Sequence, residues 1–182
     1  SFQDSGLVSV DLSEVTSIDE GAFLRCTGLT NMSLSDSITS IGSNAFLGCS
    51  SLTSVMIPSS VTVVHSSAFE GCTSVKTLRL GDSLTTIGVN AFRSLTSLED
   101  LDIPASVTNI SESAFAYCSA LRTLRIHGSD VSVHPAAFFK VNLRVLYTNM
   151  GEQVGGTLFI ENTFGSSIQS LENVTFGPDV TS

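Results

Sequence analysis

The sequence predicts an α/β solenoid, one coil of short strands and turns repeated along a single axis. Three observations predict it. The pair Ala-Phe recurs every 23 residues, at Ala22-Phe23, Ala45-Phe46, Ala68-Phe69, Ala91-Phe92, Ala114-Phe115 and Ala137-Phe138. Apolar residues keep fixed distances from that pair in copy after copy. Cysteine, wherever it occurs, also keeps to one place in the period. A fixed period in the twenties marks chains whose repeats bury their apolar faces only against their neighbours.

Each repeat opens on a strand. Met32, Val55, Leu78, Leu101 and Leu124 are followed two residues later by Leu34, Ile57, Leu80, Ile103 and Ile126. That period of two gives a short strand with one buried face. Pro58 and Pro104 then mark a corner in two copies, where others carry Ser35, Gly81 and His127. A second extended piece, V-T-x-I, follows. It runs from Val15, Ile38, Val61, Leu84 or Val107 to Ile18, Ile41, Val64, Ile87 or Ile110. In the sixth copy Asp130 breaks the first of these columns, and Val131 beside it predicts a local shift of register ahead of Val133. Ser, Asn or Gly before Ala-Phe in the first five copies reads as the cap of a single helical turn. Leu29, Leu52, Val75, Leu98 and Leu121 lead back to the next strand, with Leu143 one place early. With rungs ~4.8 Å apart, about eight of them make a body on the order of 40 Å long.

The chain reads as one array. Regular repeats cover about 7–143, and 144–170 is an irregular rung containing Gly151, Gly155 and Gly156. Leu143 and Leu171 stand 28 residues apart instead of 23, after which a partial repeat fills 171–182. Neither end carries the polar capping repeat that a solenoid needs, so the 182 residues are expected to be a piece of a longer array.

Cys26, Cys49, Cys72 and Cys118 share a column that holds Leu95 and Val141 in the other two copies. A slot that takes Cys, Leu or Val alike is a small apolar core position, so buried free thiols are expected. Disulfides between adjacent rungs are within reach, though Cys118 would lack a neighbour. Zinc is not expected, because ligands strung along a stack cannot converge into a tetrahedron.

The net charge of −9 comes from few charges in total, 14% of residues, while 49 Ser and Thr fill the solvent positions. Such a surface lacks the basic stripe that nucleic acid requires. No apolar run approaches the ~18 residues of a membrane span, so no membrane insertion is expected of this segment. There is no G-x-G-x-x-G, G-x-x-x-x-G-K, H-E-x-x-H or C-x-x-C, and no cofactor, metal or catalytic site is expected. His65 and His134 share a column but lie on the order of 14 Å apart, and His127 belongs to the strand side. Three sequons, at Asn31, Asn109 and Asn173, stand against about two that the Ser/Thr content supplies by chance, an excess that is not a signal.

The string I-P-x-x-V-T-x-I-x-x-x-A-F-x-x-C-x-x-L resembles the BspA-like leucine-rich repeat. It is carried best by Ile57-Pro58 through Ala68-Phe69 to Cys72, and by Ile103-Pro104 through Ala114-Phe115 to Cys118. The resemblance spans nearly the whole chain. It implies a curved right-handed coil with a parallel β-sheet on the concave face, and short strands or single helical turns on the convex face. It also implies a surface-exposed or secreted protein that adheres to host, matrix or other cell-surface proteins, and no catalytic motif to carry over.

The strand residues beside the inward pair face the concave sheet. The central column reads Asp11, Ser33, Met56, Arg79, Asp102, Arg125 and Tyr147. Flanking it are Thr77, Asp100 and Thr123 on one side and His127 on the other. Lys76, Glu99 and Arg122 stand at the strand entrances. Charge therefore alternates in two columns, Arg79-Asp102-Arg125 and Lys76-Glu99-Arg122, which hold four of the eight basic residues. One reading is cross-strand pairing, each pair worth ~0.2–1 kcal/mol. The other is a charged recognition patch for a protein or glycan. The expected function is a non-enzymatic protein-interaction module. The alternatives are a spacer array carrying another functional domain, or an intracellular leucine-rich repeat scaffold.

Overall fold

The computed structural model describes residues 1–149 and 172–176. The chain winds as a stack of parallel strands on two faces. On the first face lie β1 (Ser9–Leu12), β3 (Asn31–Leu34), β5 (Ser54–Met56), β7 (Thr77–Arg79), β9 (Asp100–Ile103), β11 (Thr123–Ile126), β13 (Val145–Thr148) and β14 (Asn173–Phe176). On the second lie the two-residue strands β2 (Ser17–Ile18), β4 (Ser40–Ile41), β6 (Val63–Val64), β8 (Thr86–Ile87), β10 (Asn109–Ile110) and β12 (Ser132–Val133). The second face is one continuous six-stranded parallel sheet in the order of the chain. Its register follows the period, as in Asn109 opposite Thr86 and Ile110 opposite Ile87.

Between the faces the predicted columns are buried. Ile38, Ile41, Val61, Val64, Leu84 and Ile87 are closed off from solvent, as are Leu52, Val75, Leu98 and Leu121. Phenylalanine makes the spine. Phe2, Phe23, Phe46, Phe69, Phe92, Phe115 and Phe138 stack near-parallel with ring centroids 5.0–5.5 Å apart. That separation is the rung spacing of a parallel sheet, so ring contact and strand pairing reinforce each other.

The four cysteines are free and buried in their common column. Each thiol donates backwards to a phenylalanine carbonyl of the preceding rung: Cys26 to Phe2 at 3.0 Å, Cys49 to Phe23 and Cys72 to Phe46 at 3.2 Å, and Cys118 to Phe92 at 3.4 Å. Burial pushes the thiols of Cys49 and Cys118 up to about 12 and that of Cys72 well above its ordinary value.

The helical turns do not form. Among the described residues there is no helix, so the α/β assignment gives way to an all-strand-and-turn coil. The reason lies in the backbone around Ala-Phe. Two residues before each Phe, Gly21, Asn44, Ser67, Asn90 and Ser113 have φ between 54° and 60°. Two residues after it, Arg25, Gly48, Gly71, Ser94, Tyr117 and Lys140 have φ between 55° and 75°. Residues in the left-handed region cannot continue a right-handed helix; Gly and Asn, whose cost there is least, fill five of these eleven places, and Ser, Arg, Tyr and Lys fill the other six. The amides freed by this path bond to the next rung. Phe46 N donates to Ala68 O at 2.7 Å, Phe69 N to Ala91 O at 2.8 Å and Gly71 N to Arg93 O at 2.9 Å.

Asp130 points to solvent and Val131 takes its buried place, while β12 keeps its normal register with β10. Gly128 permits this tuck, since a Cβ there would come within 2.7 Å of Val131 Cγ2. At the C-terminal side β13 pairs with β11 one place early, Val145 opposite Thr123, and β14 pairs with β13, Asn173 opposite Val145. Most of the irregular rung, from Met150 to Leu171, lies outside the described residues.

The first face is not continuous. It falls into the ladders β1-β3, β5-β7 and β9-β11-β13-β14. Both interruptions precede a rung whose strand runs into Ile-Pro, at Pro58 and Pro104. In the rung after Pro104, His127 N donates back to Ile103 O at 3.0 Å. Proline in that place has no N–H to give.

Candidate interaction surface

The register places the predicted columns side by side. Met56 lies opposite Arg79, Asp102 opposite Arg125, and Arg125 opposite Tyr147. Asp100 lies opposite Thr123. These side chains project from the first face because their neighbours Leu78, Leu101, Leu124 and Leu146 take the core side.

A concavity of this face sits at the second interruption, between β7 and β9. It is a groove of about 1010 Å³ that gathers Lys76, Thr77, Arg79, Asp100, Asp102, Arg125 and His127. Glu99, Arg122, Thr123 and Tyr147 do not line it. Leu78, Leu80, Asp82, Pro104 and Ala105 complete its walls and were not singled out from the sequence. Pro104 and the neighbouring Gly81 column were the features in the chain that could have pointed to them.

The backbone explains why a groove opens here. At the other strand entrances an amide bonds back to the preceding rung. Thr30 N reaches Val8 O at 2.9 Å, Lys76 N reaches Thr53 O at 2.9 Å, and Arg122 N reaches Glu99 O at 2.8 Å. Among the described residues no such bond joins Glu99 N to Lys76 O. At the strand exit Ile57 N bonds to Arg79 O at 2.9 Å, with no counterpart from Leu80 N to Asp102 O. Gly81 meanwhile lies so close to the preceding coil that a Cβ would stand 2.6 Å from Pro58 O. The β7 strand pairs with β5 and the β9 strand with β11, and no ladder joins β7 to β9.

The charged columns pair only in part. Asp102 is shared by Arg125 Nη1 at 3.7 Å and His127 Nε2 at 3.4 Å. The Arg125 guanidinium also lies 5.1 Å over the Tyr147 ring. Lys76, Arg79, Glu99 and Asp100 make no ion pair within 4 Å among the described residues. Arg122 turns instead to the carbonyls of Ser119, at 2.8 Å, and Leu121, at 3.1 Å. Cross-strand pairing thus accounts for Arg125 and not for Arg79, Lys76 or Arg122. Among the described residues no cluster of His, Cys, Asp and Glu could hold a metal, and no helix is long and apolar enough to cross a membrane.

Residues 1–122 and 39–165 match the BspA type leucine rich repeat region, in 6 copies. A leucine-rich repeat protein from Bacteroides ovatus is 24% identical, with a TM-score of 0.81 over 97% of this chain. This chain spans 44% of that protein's length. The T. pallidum leucine-rich repeat protein is 26% identical, with a TM-score of 0.67 over 94% of this chain and 69% of its own. The pneumococcal vaccine antigen PcpA shares the fold at 12% identity and a TM-score of 0.50, over 95% of this chain and 68% of its own. No curated protein matches the chain. The 23-residue coil, its stacked spine and the family match together establish that the chain belongs to the BspA-type leucine-rich repeat family.

Proposed function

We propose that the chain is a non-enzymatic protein-binding module of a cell-surface or secreted protein. The first face is its concave, partner-binding side in a right-handed coil. The observation that carries this reading is the groove between β7 and β9, where seven of the outward strand residues meet with Lys76 and Arg79 unpaired. Charged groups that neither pair nor bury are poor investments in stability and good ones in recognition. Membership of a leucine-rich repeat family supports protein binding. A structural neighbour described as a vaccine antigen supports surface display.

The test is capture of extracellular-matrix and host surface proteins by the full chain, wild type against Arg79→Glu, Asp102→Lys and Arg125→Glu. Each reversal is expected to weaken capture about tenfold or more with the thermal midpoint unchanged. Equal capture by all three variants removes the face. A spacer role is the second reading, favoured by the chain's spanning only 44% of the B. ovatus protein. Capture that maps wholly to segments outside the coil in a longer protein would establish it.

A further inference from the structure

We infer that the groove between β7 and β9 takes an extended polypeptide segment with an acidic and a basic side chain two residues apart. The inference rests on the binding-face reading above and names the chemistry of its partner.

The groove carries both signs, with cations on strand β7 and carboxylates on strand β9, and Asp82 beyond the end of β7 adds a third carboxylate. The β7 side presents Lys76 and Arg79, both exposed and without an ion pair within 4 Å among the described residues. The β9 side presents Asp100, likewise exposed and unpaired, and Asp102, which Arg125 and His127 already hold. On paired rungs ~4.8 Å apart these two walls would neutralise each other across the strands, as Asp102 and Arg125 do one rung later. The missing strand pairing prevents it. Two cations and two carboxylates, Asp82 and Asp100, are left facing solvent with no ion pair within 4 Å among the described residues, in a chain with 17 acidic and only 8 basic residues.

A ligand of one charge would satisfy one wall and be repelled by the other, and like charges brought together cost what opposite charges gain. A ligand carrying both signs satisfies both. In an extended chain, residues two apart face the same way and lie about 6.8 Å apart, so one short segment can present both signs to the unpaired junction. Leu78, Leu80 and Pro104 add apolar lining, which accommodates the stems of long charged side chains. Among the described residues no Phe, Tyr or Trp ring lines the groove to stack a sugar, and a sulfated or carboxylated glycan would offer a single sign. A polypeptide meets the requirement.

The test uses capped five-residue peptides in extended, non-helical sequences, titrated into the isotope-labelled chain and followed by amide shifts at 77–79 and 100–102. One peptide carries Glu and Lys two apart, one the reverse order, one two Glu and one two Lys; heparin serves as a single-sign glycan. A mixed-charge peptide is expected to shift amides on both walls and to bind about three- to tenfold more tightly than either like-charged peptide. Arg79→Glu or Asp100→Lys alone removes that preference. Equal or tighter binding by the doubly acidic peptide or by heparin, or shifts confined to one wall, overturns the inference. Such a result leaves the binding face itself standing if the charge reversals described earlier still abolish protein capture.

Discussion

The turn side and the first strand face of this coil obey the same 23-residue period and treat it oppositely. On the turn side each rung follows its predecessor: ring on ring, a left-handed residue two places after each Phe of the repeated pair and, where cysteine fills its column, thiol to carbonyl. Two ion pairs there also bridge consecutive rungs. Arg25 binds Asp4 at 2.8 Å and Arg93 binds Glu70 at 2.7 Å, and the hydrogen bond from Arg25 holds the Asp4 carboxyl below its ordinary value. The strand face keeps the register but breaks the ladder twice and leaves Lys76 and Arg79 unpaired. The side that holds the stack together must be uniform, because each rung is stabilised only by its neighbours. Variation is tolerated where backbone pairing is already supplied elsewhere, and that is where recognition can be built.

The largest expected effect lies on the uniform side. Phe92→Ala removes a fully buried ring stacked above and below, and should cost about 3–5 kcal/mol against under ~1 kcal/mol for Phe2→Ala, whose residue is 51% exposed. Denaturant unfolding of the two variants measures the difference. A similar loss from both would mean that the spine does not act as a continuous stack.

The thiol column gives the next effect, through pH. A thiol raised on folding from its ordinary 9.0 to about 12 binds its proton more tightly in the folded chain. Its stability contribution is therefore complete below about pH 9 and is withdrawn as pH rises towards 12. Unfolding free energy should fall across that window, and less steeply in Cys118→Val, a residue already accepted in the column at Val141. A flat profile in both proteins would place these thiols in contact with water. The smallest effect is on the irregular side. Pro104→Ala returns an N–H to the interrupted junction, and the new amide should exchange slowly while overall stability moves by less than about 1 kcal/mol. Rapid exchange at position 104 would show that proline is not what keeps β7 and β9 apart.

Much of this was legible before any coordinates. The columns of the core, the cysteine slot, the shift at Asp130 and Val131, and the partners across each strand follow from periodicity alone. What escaped reading is local. Asn44, Ser67 and Asn90 look like helix caps because the small polar residues that cap helices are also those that tolerate positive φ. The glycines Gly48 and Gly71 on the far side of Phe were the better guide. In the charged columns, sequence could place Lys76, Glu99 and Arg122 in line but not the splayed junction that separates the first two. Nor could it place the carbonyls that draw Arg122 aside. Those outcomes depend on missing backbone bonds, and a pattern of side chains carries no record of them.

The two prolines have a consequence beyond the groove they border. If Pro104→Ala restores the pairing, a single codon decides whether a given coil seals against the one before it, while other codons decide which charges stand around the opening. Mouth and lining can therefore be inherited separately. A lineage of such arrays could shift its docking point along the axis by relocating one imino acid, with the scaffold and the local chemistry left as they were.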